Sequence, residues 1–117
     1  METVLDTGAG RSMIDLGTVE KLGLPWCKAR GKEFGTYSVP GQDYRPYLGV
    51  THPLVMRFEE GVEIDVPEFK IIEHPFPLVL TGSDVLRPAV LGPQWTYRCL
   101  GATQPEGDAP AEGFIEF

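Results

Sequence analysis

The stretch VLDTGAGRSMI, residues 4–14, decides how the rest of the chain is read. Two apolar residues run directly into Asp6, which is followed by a hydroxyl, a glycine, a small residue and a second glycine. Asp, Thr and Gly are all turn formers, so the ordinary reading is a strand that ends in a turn. A carboxylate brought to the tip of an apolar strand, with glycines that let backbone approach it, is also how a chain presents an acid for chemistry. Three features outside the triplet favour the second reading. Apolar residues flank the polar turn on both sides, the amphipathic segment DLGTVEKLGLP follows at once, and a second apolar stretch far downstream, LVLTGSDVL, runs into a glycine and an acid.

Composition narrows the class. A chain of 117 residues makes one domain with a modest core. Its net charge of -7, with ten scattered basic residues, argues against nucleic acid as a partner. No apolar run is long enough to span a bilayer, so no membrane partner is expected. The chain does not open on a basic segment followed by an apolar one, which makes the cytoplasm the default expectation. Cys27 and Cys99 are too few for a disulfide framework or a zinc site and read as reduced packing residues. His52 and His74 each precede a proline and have no Cys or carboxylate at ligand spacing, so neither a metal nor a cofactor is expected.

Fourteen glycines and eleven prolines favour short strands over long helices. TVLDTG reads as one strand and RSMI as a second extended piece. DLGTVEKLGLP predicts a helix capped by Asp15, with Leu16, Val19 and Leu22 on one face and Gly23 and Pro25 ending it; Gly17 in its first turn weighs against it. KEFGTYSVPGQDYRPYLGV predicts two strands meeting at VPGQ, where Pro40-Gly41 suits the centre of a type II turn. PLVMRF and VEIDVPEF flank Glu60-Gly61 as a second hairpin, and Val62, Ile64 and Val66 alternate with Glu63 and Asp65 as in a half-buried strand. FPLVLTG reads as a fully buried strand, and SDVLRPAVL as a helix that Pro88 limits to a turn or two. QPEGDAPAEG, residues 104–113, predicts a mobile linker, and FIEF either pairs as a strand or hangs free. The expected class is all-β with one or two short helices, residues 1–100 forming the lobe and 101–117 a flexible tail.

Together, LDTGAGRSMI, the hairpin region and LVLTGSDVL resemble the retropepsin-like aspartic proteases, the single-lobe family of retroviruses, retrotransposons and cellular relatives. The resemblance covers about residues 3–88. It implies a closed, acid-protease-like β barrel with a flap hairpin over the active site. It also implies that Asp6 is the catalytic aspartate, with Thr7, Gly8 and Ala9 completing the active-site loop and Thr7 locking two such loops across a symmetry axis. Gly82 matches the glycine of the family's late segment, and Asp84 the polar residue that opens its helix. Ser38, Val39, Pro40, Gly41 and Gln42 occupy the place of the flap tip, and the spacing G-Q-x-x-x-x-x-x-G-V resembles retrotransposon flaps.

The chemistry that this resemblance implies needs two carboxylates sharing one proton, because like charges a few ångström apart cannot both ionise. One carboxylate takes a proton from the attacking water while the other donates to the substrate carbonyl oxygen, and the pair titrates as a unit. The chain carries one Asp-Thr-Gly; in LTGSD a leucine stands where a second aspartate would be. The second Asp6 is therefore expected from another copy, in an isologous twofold dimer. The implied activity is that of an aspartic endopeptidase, a homodimeric hydrolase whose partners are itself and a peptide or protein substrate. A flap hairpin would close on an extended peptide, exclude water and offer backbone hydrogen bonds.

The chain departs from the family pattern at its start. Five residues precede Asp6, where family members carry further strands that pair with the sheet and build the dimer interface. Two expectations follow: the chain is part of a longer protein, or it is a truncated, inactive lobe that acts as a binding or dimerisation module. The segment after Leu100 lacks a clear match to the family's terminal dimerisation strand, a role GFIEF could serve. A third alternative is an unrelated small β domain with a chance Asp-Thr-Gly turn. Elsewhere, Trp26, Phe76, Trp95 and Tyr97 read as core or interface packing rather than substrate pockets, Asp15 as a helix cap, and Glu59 and Glu60 as solvated turn residues. Arg11 reads as a surface ion pair or a substrate contact.

Overall fold

A computed structural model describes residues 1–38, 41–91 and 113–117. In chain order the elements are β1 (Val4–Leu5), β2 (Met13–Asp15), α1 (Leu16–Leu22), β3 (Trp26–Lys28), β4 (Thr36–Tyr37), β5 (Arg45–Pro46), β6 (Gly49–Thr51), β7 (Leu54–Arg57), β8 (Glu63–Val66), β9 (Lys70–Ile72), β10 (Val79–Thr81), α2 (Ser83–Leu91) and β11 (Gly113–Glu116). The chain is mostly β with two short helices, and its strands are short because a glycine or proline interrupts nearly every one.

Six strands form one sheet in the order β1-β10-β2-β9-β6-β3; β11, β7 and β8 form a second, and β4 and β5 a third. β10 threads between the first two strands, parallel to β1 (Leu5 opposite Thr81) and antiparallel to β2 (Val79 opposite Ile14). That threading brings the turn after β1 against the residues that open α2. Among the described residues these sheets do not close into a barrel: β1 and β3 each pair on one side only. Closure needs every edge strand to find a partner in matching stagger, and two-residue β1 finds one only in β10.

The main core gathers Ile14, Val19, Leu54, Met56, Phe69, Ile71, Val85 and Ile115 between the two larger sheets and the helices. Asp15 caps α1 as the sequence predicts, its carboxylate accepting from Thr18 N–H at 2.9 Å. The apolar face is shifted from the predicted one. Leu22 is exposed while Leu24 is buried. The cause is the helix end: Gly23 N–H reaches Glu20 O and Leu24 N–H reaches Val19 O at 3.0 Å, a paired closure that swings Leu24 into the core.

Both predicted hairpins form, β4 with β5 and β7 with β8. Gly41 has φ +80°, as the third position of a type II turn requires; Val39 and Pro40 lie outside the described residues. α2 runs nine residues and continues past Pro88, forgoing the one backbone bond for which proline has no N–H. Of the two options for FIEF, pairing is realised. Gly113–Glu116, in the stretch read as a tail, lies parallel to β7 with Ile115 buried.

One packing expectation is corrected. Cys27 is exposed, because Trp26 turns inward on edge strand β3 and its neighbour must face the other way. Of the two packing options for Phe76 the core is excluded: held between two prolines in a bend anchored by its own N–H to His74 Nδ1, it projects outward and is 70% exposed. Trp26 does pack on the main core. Trp95, Tyr97 and Cys99 lie outside the described residues, as does nearly all of the predicted linker.

Candidate active site

Asp6 follows β1 directly, and its backbone N–H donates to Thr81 O at 2.9 Å, so the strand pairing continues to the acid itself. The chain then reverses. Gly8 N–H donates to Asp6 Oδ1 at 3.0 Å and Ala9 N–H to Asp6 O at 3.1 Å, a compact turn folded around the carboxylate. Asp6, Thr7 and Gly8 are exposed and Ala9 is partly buried.

The turn is locked from behind by the start of α2. Ser83 N–H donates to Ala9 O at 2.8 Å. Gly82 passes so close that a Cβ there would stand 2.7 Å from Ala9 O and 2.9 Å from both Arg11 C and Arg11 O, so no larger residue fits without moving backbone. Ser12, fully buried, completes the lock: its hydroxyl donates to Asp84 Oδ1 at 2.7 Å and accepts from Gly82 N–H at 2.9 Å, while its own N–H donates to Asp84 Oδ2 at 3.0 Å. Both oxygens of Asp84 are thus committed to positioning the loop. Ser12 was not among the residues singled out from sequence; its place two residues beyond the second glycine was the available signal.

Asp15 plays the same part on the other side of β2. Burial of its carboxylate pushes its pKa upward, but hydrogen bonds from the Thr18 side chain and from the Leu78 and Thr18 backbone outweigh that and hold it below the usual carboxylate value. Its Oδ1 accepts from Leu78 N–H at 2.8 Å, and its own N–H donates to Leu78 O at 3.0 Å. This fixes the entry to β10 beside the turn.

A cleft of about 430 Å³ opens beside the Asp6 turn. Ala9, Gly10 and Arg11 form one wall, Tyr37 and Ser38 of the β4–β5 hairpin another, and Met13, Tyr47, Ile72 and Leu78 much of the rest, with His74 at its edge. A satellite core of Tyr37, Tyr47 and Ile72 underlies the hairpin; the two tyrosine rings lie 5.3 Å apart and Tyr37 Oη accepts from Glu73 N–H at 3.3 Å. Burial pushes the Tyr47 phenol up, the nearby Arg11 charge works against that rise, and Asp84 and Tyr37 add to it. The structure therefore brings the Asp6–Ala9 turn together with Gly82 and Asp84, but among the described candidate residues only Ala9 and Ser38 line the cleft, while Asp6, Thr7, Gly8, Gly41 and Gln42 do not. The aromatic and aliphatic lining was not singled out from sequence, because its members come from four separate strands and loops.

Among the described residues no group of three or more His, Cys, Asp or Glu side chains is placed to hold a metal ion. No helix among them is long and apolar enough to cross a membrane. No protein-family model, curated protein or solved structure matches the chain.

Proposed function

We propose that the chain is an aspartic endopeptidase of the retropepsin-like type, a homodimer in which Asp6 of each copy contributes one carboxylate to the acid pair. The observation that carries this reading is the Asp6 turn itself, exposed, locked from behind by Gly82, Ser12 and Asp84, and next to a cleft that its Ala9 lines together with Tyr37 and Ser38 of the β4–β5 hairpin. In this reading the six-stranded sheet is the single-lobe acid-protease fold, and further strand pairing along the free side of β1 closes the barrel. Val4 and Leu5, 52% and 61% exposed beside Asp6, give that edge an apolar surface suited to such pairing.

The chemistry follows from the dimer. Two Asp6 side chains on a twofold axis share one proton; the ionised member draws a proton from a water as it attacks the peptide carbonyl, and the protonated member donates to the carbonyl oxygen. The hairpin closes over the extended substrate and excludes solvent. The exposed β1 edge also suits a second reading, a dimerisation or peptide-binding module without turnover. One experiment separates them: cleavage of a denatured protein substrate at acidic pH, with and without a pepstatin-type inhibitor, beside Asp6→Asn. Cleavage that is inhibited and is lost in Asp6→Asn is the expected outcome. Cleavage surviving the substitution refutes the peptidase, and dimerisation or peptide binding without turnover selects the module.

A further inference from the structure

Most of the surface lining the cleft beside the Asp6 turn is apolar: Met13, Tyr37, Tyr47, Ile72 and Leu78. Arg11 stands on its wall and is exposed. Among the described residues Arg11, like Lys21, Lys28, Arg30 and Lys32, makes no ion pair; what distinguishes it from those four is its place in the lining of this cleft. Asp84, the acid nearest in the loop's own network, has both oxygens taken by Ser12. A guanidinium bordering an apolar slot suits a ligand group with a short hydrocarbon stem and a planar anion at its end.

We propose that Arg11 makes this cleft selective for an acidic side chain of the bound peptide, glutamate above all. The methylenes lie along Met13, Leu78 and the tyrosine rings, and the carboxylate accepts two N–H bonds from the guanidinium. Glutamine has the same shape without the charge, so the comparison of the two isolates the ionic contact. The chain is acidic overall, at -7, and disfavours acidic peptides at long range; the selectivity must therefore be local to this cleft. The inference rests on the peptidase reading for the nature of the ligand.

The test is binding, kept separate from cleavage. Fluorescein-labelled decapeptides of Gly, Ala and Phe, carrying Glu, Gln or Lys at one position moved along the sequence, are titrated by anisotropy. The titrations use the full chain and its Asp6→Asn variant at pH 6, where a free glutamate is ionised. At one peptide position Glu is expected to bind about tenfold tighter than Gln, with Lys weakest. Arg11→Met abolishes the difference, Arg11→Lys keeps part of it, and Arg11→Glu inverts it in favour of Lys; thermal midpoints matching the parent show that these exposed-site variants fold. Equal binding of Glu and Gln peptides at every position, a preference unchanged in Arg11→Met, or no peptide binding at all overturns the proposal. Selective binding without cleavage upholds it while refuting the peptidase, and cleavage without selectivity does the reverse.

Discussion

Replacing Ser12 by alanine is the sharpest perturbation of the loop lock. Ser12 has no exposed surface, so water cannot take the place of its hydroxyl. The substitution removes a 2.7 Å donation to the Asp84 carboxylate and strands the buried Gly82 N–H that now bonds Ser12 Oγ at 2.9 Å. A bond to a charged acceptor contributes about 1.5–3 kcal/mol, and an orphaned buried amide costs about 1–3 kcal/mol. Asp84 keeps the Ser12 N–H at 3.0 Å through its other oxygen, which places the combined loss toward the lower end, at about 3 kcal/mol. Against a total stability of about 5–15 kcal/mol that is a large fraction. It corresponds to a fall in Tm of about 12 °C for a domain of this size. Urea unfolding reads the loss as a lower midpoint at unchanged slope. A cycle with Asp84→Ala should give a coupling of about 1–2 kcal/mol, since the two residues act through one network. A loss under about 1 kcal/mol, or strictly additive single variants, would refute the claim that this hydroxyl ties the Asp6 turn to α2.

Gly82→Ala should destabilise by about 2 kcal/mol or more, because its Cβ meets the Ala9 and Arg11 backbone, and crosspeaks of residues 6–12 should shift most in NMR spectra; a variant with parent-like Tm would contradict the close approach. Asp15→Ala should cost about 2–3 kcal/mol, the helix cap together with an unpaired Leu78 N–H, while Asp15→Asn keeps the cap and costs less. Because the folded-state pKa of Asp15 lies below its unfolded value, its contribution is complete above the ordinary carboxylate value of about 3.9 and fades as pH falls through the folded one. The difference between parent and Asp15→Ala in urea should thus be flat from pH 5 to 8 and shrink below about pH 4. Ile115→Ala, at a site 1% exposed on β11, should cost about 2–4 kcal/mol in the same assay; a negligible loss would show that β11 does not belong to the folded core.

What the sequence determined by itself was local. Asp15 as a cap, Gly23 as a helix end, the hairpins around Gly41 and Gly61, and the apolar strand before Gly82 all depend on residues within a few positions of one another, whose propensities act before any tertiary contact forms. The resemblance placed Asp6 and Gly82 in one site, and the pairing of β1 with β10 does bring their loops into contact.

The tertiary structure decided everything that requires distant segments to meet. Ser12 joins Asp84 across 72 positions, and no spacing rule links a serine after a glycine turn to an acid that far away. The cleft lining comes from β2, the β4–β5 hairpin, β9 and the approach to β10, each residue bland where it stands in the sequence. Leu24 in place of Leu22, Cys27 facing out, and FIEF seated on β7 turned on how a chain end or an edge strand was accommodated once its neighbours had packed. Local preference is written in adjacent residues, whereas burial and long-range pairing depend on which surfaces the folded chain leaves to be covered.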